Sequence, residues 1–198
     1  GVPIGRAAVN TMRTNVVGRG LMPKPTIDAD VLKISPEKAK ELERKISKEW
    51  ELWAESADCD MARLDNFYEL QQLAFLNWLA SGDTLALLPV KTRKNQPYDL
   101  RVQLVEADRL SSPDNFDTFD NQIVGGVEVD ADGEVVAYHF SKHHPLSYAN
   151  ERMEWKRVEA YGKRTGRRNV LHLIGFLYDF RYLQHGRVLL KDMFYFCE

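Results

Sequence analysis

At Gly82 the hydrophobic period of this chain changes. Before it, apolar residues recur every three or four positions; after it, they alternate. A chain that keeps its helices and strands in separate stretches does not build alternating βαβ units. It builds an α+β fold, here amino-terminal helices packed on a mostly antiparallel β-sheet. The expected division is a helical amino-terminal segment at 1–82 and a strand-rich segment at 83–198, the two forming one compact unit. With 198 residues, 44% of them hydrophobic, a core can form without staples.

The helical half is well punctuated. Ile4, Ala7, Ala8, Met12 and Val16 predict a helix over 4–16, stopped by Gly18 and Gly20. "PKPTIDADVLKIS" reads as a loop. Ser35 suits a helix N-cap and Pro36 the first helical position, with Ala39, Leu42, Ile46 and Trp53 as the apolar stripe. A further helix is expected from about Asn66 to Ala80, through Phe67, Leu70, Leu73, Ala74 and Trp78, with Gly82 ending it. Beyond it, "TLALLPV" and "YDLRVQLVEA" read as strands joined by the basic loop "KTRKNQP". "SSPDNFDTFDNQ" is a turn-rich loop. "GVEVDADGEVVAYHF" carries a hairpin signal at Asp132-Gly133. "MEWKRVEA" and "NVLHLIGF" follow as strands around "YGKRTGRR".

The formal net charge of -2 gives no global case for a nucleic-acid or membrane-surface binder. No apolar run reaches the length of a membrane span, and "GVPIGRAAVN" lacks a signal-peptide core. Cys59 and Cys197 stand far apart and make neither a disulfide framework nor a cysteine zinc site, so a reducing compartment is the default.

The chemistry-bearing residues do not assemble a reaction. Asp58-Cys59-Asp60 lacks a second ligand cluster at metal-site spacing, and Cys59 has no cation beside it in sequence. The expectation is a buried thiol, with the aspartates capping helix ends. His143-His144 sits in a loop. His172, inside "VLHLI", reads as a satisfied, partly buried histidine. Asp130 and Asp132 do not make an EF-hand, because Gly133 comes two residues too early. Lys163, Arg164, Arg167 and Arg168 are the densest basic patch and the possible nucleic-acid contact; charge runs of this kind usually mark solvated loops. No nucleophile, base and oxyanion donor come together, so the expectation is no enzyme, no cofactor and no metal.

The order of the segments carries more than any one of them. "RTNVVGRGLMPKP" at 13–25 is followed by Trp50 and Trp53. Then come "ADCDMARLDNFYELQQLAF", "SGDTLALL", "LRVQLVEADRL", "GGVEVDADGEVVAYHF", and "RVEA" before "NVLHLI". This succession, from about Gly5 to about Gly175, resembles the lambda-type portal proteins of tailed bacteriophages. The resemblance marks Asn15, Gly18, Gly20, Trp50, Trp53, Asp58, Cys59, Asp60, Phe67, Gln71, Gly82, Asp83 and His172 as a framework motif. It implies a portal-like outer region, and a virion structural protein at the capsid vertex with no enzymatic activity of its own. It implies a ring of identical subunits, typically twelve, as the head-tail connector through which double-stranded DNA passes non-specifically in packaging and ejection. Its partners are then capsid protein, terminase and head-completion proteins, and it passes through the host bacterial cytoplasm during assembly. Residues 181–188, "RYLQHGRV", depart from the family pattern, where a glycine precedes the glutamine and the arginine precedes the glycine. The expectation is therefore a truncated or prophage-remnant portal, without its stem, clip and channel parts. The apolar run through Val188, Leu189, Leu190, Met193, Phe194 and Phe196 reads either as a segment closing the core or as a severed connection. The rival class is a small nucleic-acid-binding module that uses the 163–168 loop.

Overall fold

The computed structural model describes residues 3–113, 122–144 and 153–174. The loop residues 114–121, the departure at 181–188, the apolar run after it and Cys197 lie outside the described residues. Within them, helices come first: α1 (Pro3–Val16), α2 (Pro36–Ala54) and α3 (Phe67–Ser81). Strands follow: β1 (Asp83–Leu87), β2 (Gln103–Val105), β3 (Gln122–Val124), β4 (Val127–Val129), β5 (Val135–Ser141), β6 (Trp155–Glu159) and β7 (Val170–Ile174). One sheet has the order β3-β4-β5-β6 and is antiparallel throughout; the other has the order β2-β1-β7. The fold is α+β, as the change of period implies.

The chain divides into two compact units. The first takes the described residues up to Leu79 together with Ala86–Leu104; the second takes Ala80–Leu85 and the described residues from Val105 on. The chain thus leaves the first unit near the end of α3, returns to it inside β1, and leaves again inside β2.

In the first unit the helix signals act as physical stops. The Ser35 hydroxyl accepts the Lys38 N–H at 3.2 Å, and Pro36 opens α2. Asn66 and Glu69 form a reciprocal capping box on α3. The Asn66 side chain accepts the N–H groups of Tyr68 and Glu69, both at 3.0 Å, and the Glu69 carboxylate accepts the Asn66 N–H at 2.8 Å. The core holds Trp53, Ala54, Cys59, Leu70 and Val102, with Trp50, Phe67 and Tyr68 packed against it.

Two strand expectations shift. "YDLRVQLVEA" is a strand only over β2. Ahead of it, Val102 pairs in parallel with Asp60: its N–H donates to the Cys59 carbonyl at 2.7 Å, and its carbonyl accepts the Met61 N–H at 2.8 Å. Pairing with a segment some forty positions away leaves no local pattern in sequence. β3 overlaps the loop reading only at Gln122, and its other two residues lie between that loop and the hairpin signal. It joins β4 through Gly125-Gly126, a two-residue hairpin connection.

In the second unit the β4–β5 hairpin turns through residues 130–134. Asp130 holds this turn. Its Oδ1 accepts the N–H groups of Asp132 at 3.0 Å and Glu134 at 2.8 Å. Gly133 has φ of +85°, and a Cβ added there meets nothing within 4 Å. Gly133→Ala therefore isolates backbone strain, and unfolding in urea is expected to show a loss of about 1 kcal/mol. A neutral result would mean that the turn relaxes into another conformation.

Candidate functional site

The structure brings most of the framework residues together at separate places. In the first unit, the rings of Trp50, Trp53 and Phe67 form a triangle. Its centroid distances are 5.3, 5.1 and 5.0 Å, with Trp50 edge-on to Phe67. The Trp53 indole N–H donates to the Leu100 carbonyl at 3.0 Å. Cys59 belongs to the same core and is 1% exposed.

Burial pushes the Cys59 thiol up to about 11, and the Asp60 carboxylate adds to the rise. Native Cys59 is therefore a poor nucleophile: about one part in a thousand is thiolate at pH 8. Alkylation by iodoacetamide, mapped by peptide mass spectrometry, is expected only when the chain is unfolded. Labelling of the native chain at the rate of a free thiol would place Cys59 at the surface. The stability sign follows from the raised folded value. The unfolded thiol ionises near 9.0, so the contribution of Cys59 is full below pH 9 and is lost as pH rises toward 11.

The flanking aspartates do not cap regular helix ends. Asp60 is buried, and its carboxylate accepts the N–H groups of Ala62 at 3.1 Å, Leu64 at 2.9 Å and Asp65 at 3.4 Å. Asp58 pairs with Arg63 at 2.8 Å and Arg93 at 3.4 Å. Arg93 was hidden in sequence, because it stands in a basic loop that reads as solvated. Its guanidinium also donates to the carbonyls of Asp58, Asp60 and Met61 at 3.2, 3.3 and 2.8 Å. One arginine thus ties the whole 58–61 turn to the 91–97 loop. A cavity of about 230 Å³ beside it is lined by Trp53, Asp58, Cys59, Tyr98 and Arg101, among others. Among the described residues, no three histidine, cysteine or acidic side chains come together as metal ligands.

Gly18, Gly20 and Gln71 meet at a second place in the same unit. The Gln71 amide accepts the Leu21 N–H at 2.6 Å and donates back to the Leu21 carbonyl at 3.0 Å. The neighbouring Gln72 donates to the Gly18 carbonyl at 2.9 Å. Two successive side chains of α3 thereby hold the strap that follows α1. Asn15 lies exposed near the end of α1, and Gly82 follows the last residue of α3.

In the second unit, Asp83 and His172 find each other across 89 positions, with Nε2 and Oδ2 3.1 Å apart. The Tyr138 ring stands edge-on to the imidazole at 5.6 Å. The histidine has a structural partner, as its apolar surroundings suggest. His144 lies 3.4 Å from Asp108. A buried site that sequence reading missed is centred on Glu128. Its carboxylate reaches His139 Nε2 at 2.8 Å, Arg157 Nε at 2.7 Å and Arg157 Nη2 at 2.9 Å. That pairing holds the Arg157 guanidinium above its ordinary range.

The basic patch is the exposed turn after β6. Lys163 pairs with Glu159 at 2.8 Å, and Arg168 lies over the Tyr161 ring at 5.1 Å while donating to its hydroxyl at 2.9 Å. Arg164 and Arg167 extend from the same turn. The structure does not bring this patch together with any framework residue.

None of these arrangements sets a nucleophile against a base; they hold turns, straps and strands in place. No described helix is long and apolar enough to cross a membrane. No curated protein matches the chain. A family model described as phage portal protein, lambda family, matches residues 1–179. That span takes in every framework residue described above, and by it the chain belongs to the lambda family of phage portal proteins.

Proposed function

We propose that this chain is a structural subunit of the portal ring at the capsid vertex, where it serves DNA packaging and ejection rather than catalysis. The carrying observation is the family match over residues 1–179. In this reading its partners are identical subunits, capsid protein, terminase and head-completion proteins, and double-stranded DNA passes through the assembled ring without sequence-specific contact. The framework residues serve the subunit's shape. Trp50, Trp53, Cys59 and Phe67 fill one core, Gln71 holds the strap at Gly18–Leu21, and Asp83 meets His172. The reading as a small nucleic-acid module draws on the 163–168 turn, where Lys163 and Arg168 already have partners within the chain.

The test is genetic. An amber codon early in the gene, in a phage that carries it, is expected to leave capsids without packaged DNA on a non-suppressing host. DNA-filled heads at normal yield would overturn the reading.

A further inference from the structure

The four-stranded sheet carries opposite charges on neighbouring turns at one end. The β4–β5 turn holds Asp130, Asp132 and Glu134, the last two exposed. The turn after β6 holds Lys163, Arg164, Arg167 and Arg168, all exposed. Register places the two turns at the same end of the sheet. β5 and β6 run antiparallel with Ala137 opposite Glu159, and the Ala160 N–H donates to the Val136 carbonyl at 2.9 Å. The start of β5 and the end of β6 are therefore neighbours.

Opposite charges this close could pair within the chain, yet among the described residues Asp132, Glu134, Arg164 and Arg167 form no ion pair. The other charged groups are committed. Asp130 Oδ1 holds its own turn, Lys163 is on Glu159, and Arg168 is on Tyr161. The basic turn is closed by its backbone, with Gly162 N–H donating to the Arg167 carbonyl at 2.8 Å and Gly166 N–H to the Gly162 carbonyl at 2.7 Å. Each turn thus presents charge of one sign to solvent on a braced frame.

We propose that these turns are the two halves of a contact between copies of this chain, in which Arg164 and Arg167 of one copy meet Asp132 and Glu134 of the next. The proposal rests on the reading that copies of the chain assemble. Charge complementarity selects the partner: a surface with acidic and basic halves side by side fits another copy of itself. A nucleic acid fits it less well, because the acidic turn repels the phosphates that the basic turn attracts. Contacts of this kind set register and encounter rate more than affinity, and salt weakens them.

Charge reversal tests it on the full chain. One variant carries Arg164→Glu with Arg167→Glu, so that both turns present carboxylates at the positions free of ion pairs. The other carries Asp132→Lys with Glu134→Lys, so that both are basic. All four positions are exposed, and circular dichroism with thermal unfolding checks that each variant folds. By sedimentation velocity at low salt and high protein concentration, the unaltered chain is expected to self-associate, and each variant alone to lose about tenfold or more in association. The equimolar mixture is expected to regain it, since carboxylate-bearing turns then meet basic ones in alternation. Variants that associate like the unaltered chain, or a mixture that regains nothing, overturn this contact and leave the portal reading standing. An unaltered chain that stays monomeric at low salt overturns the contact and leaves the portal reading, which rests on the family match, to the genetic test. Duplex DNA binding that the arginine reversals abolish, with self-association untouched, assigns the basic turn to nucleic acid and overturns the proposal.

Discussion

Glu128→Ala is expected to cost about 3 kcal/mol of folding free energy, read from urea or guanidinium unfolding. Glu128 is 3% exposed and lies in β4 opposite Ala137. Two residues further along β5, on the same face, is His139, which is 2% exposed and directly opposite Arg157 on β6. One carboxylate thus cross-links three strands. The alanine leaves the imidazole without this acceptor and takes the counter-charge from a guanidinium that is 40% exposed. That partial exposure lets Arg157 turn toward water, which keeps the cost below that of a fully sealed ion pair. The double variant Glu128→Ala with Arg157→Ala is expected to be only slightly less stable than Glu128→Ala alone, a coupling above about 1 kcal/mol. Additive losses would show that the two side chains act independently.

Gly20→Ala is expected to cost about 3 kcal/mol or more, well beyond the loss at Gly133. Both glycines have positive φ, +107° and +85°, so both substitutions carry backbone strain. They differ in space. A Cβ at Gly20 stands 2.4 Å from Tyr68 Cδ1 and 2.6 Å from Tyr68 Cβ, whereas at Gly133 it meets nothing. The Tyr68 Cβ is fixed to the α3 backbone and cannot swing away. Nor can the strap retreat freely, because Gly18 and Leu21 on either side are tied to Gln72 and Gln71. Equal losses for Gly20→Ala and Gly133→Ala would mean that the strap moves and the ties are weak.

Sequence showed what local rules control. Ser35-Pro36 and Gly82 marked helix ends because caps and positive φ are local demands. Asp132-Gly133 marked a turn for the same reason, although Asp130 proved to be its organiser. Glu128 escaped because alternation assigns a glutamate between two valines to the solvent face, while in β4 all three residues are buried. Gly125-Gly126 is a local hairpin signal, set between a long polar loop and a strand of only three residues. The pairing of Asp83 with His172, and the grip of Arg93 on the 58–61 turn, join residues 89 and about 33 positions apart. No window of sequence contains such a pair. The ordered succession of segments named the framework residues, but only the fold shows which of them meet.

The crossings of the chain between its two units, late in α3, within β1 and within β2, set a timetable for synthesis. The first unit cannot close when α3 leaves the ribosome, because Val102 of its core is still unmade. It needs every residue to Leu104. β1 emerges early, yet its neighbour β7 lies beyond residue 169. At bacterial elongation speeds that leaves an unpaired strand edge on the nascent chain for roughly 4 to 17 s. A holdase has that long to act, and early release from the ribosome before β7 is made yields a polypeptide prone to sticking to its neighbours. For the same reason, no single proteolytic cut can leave both units intact.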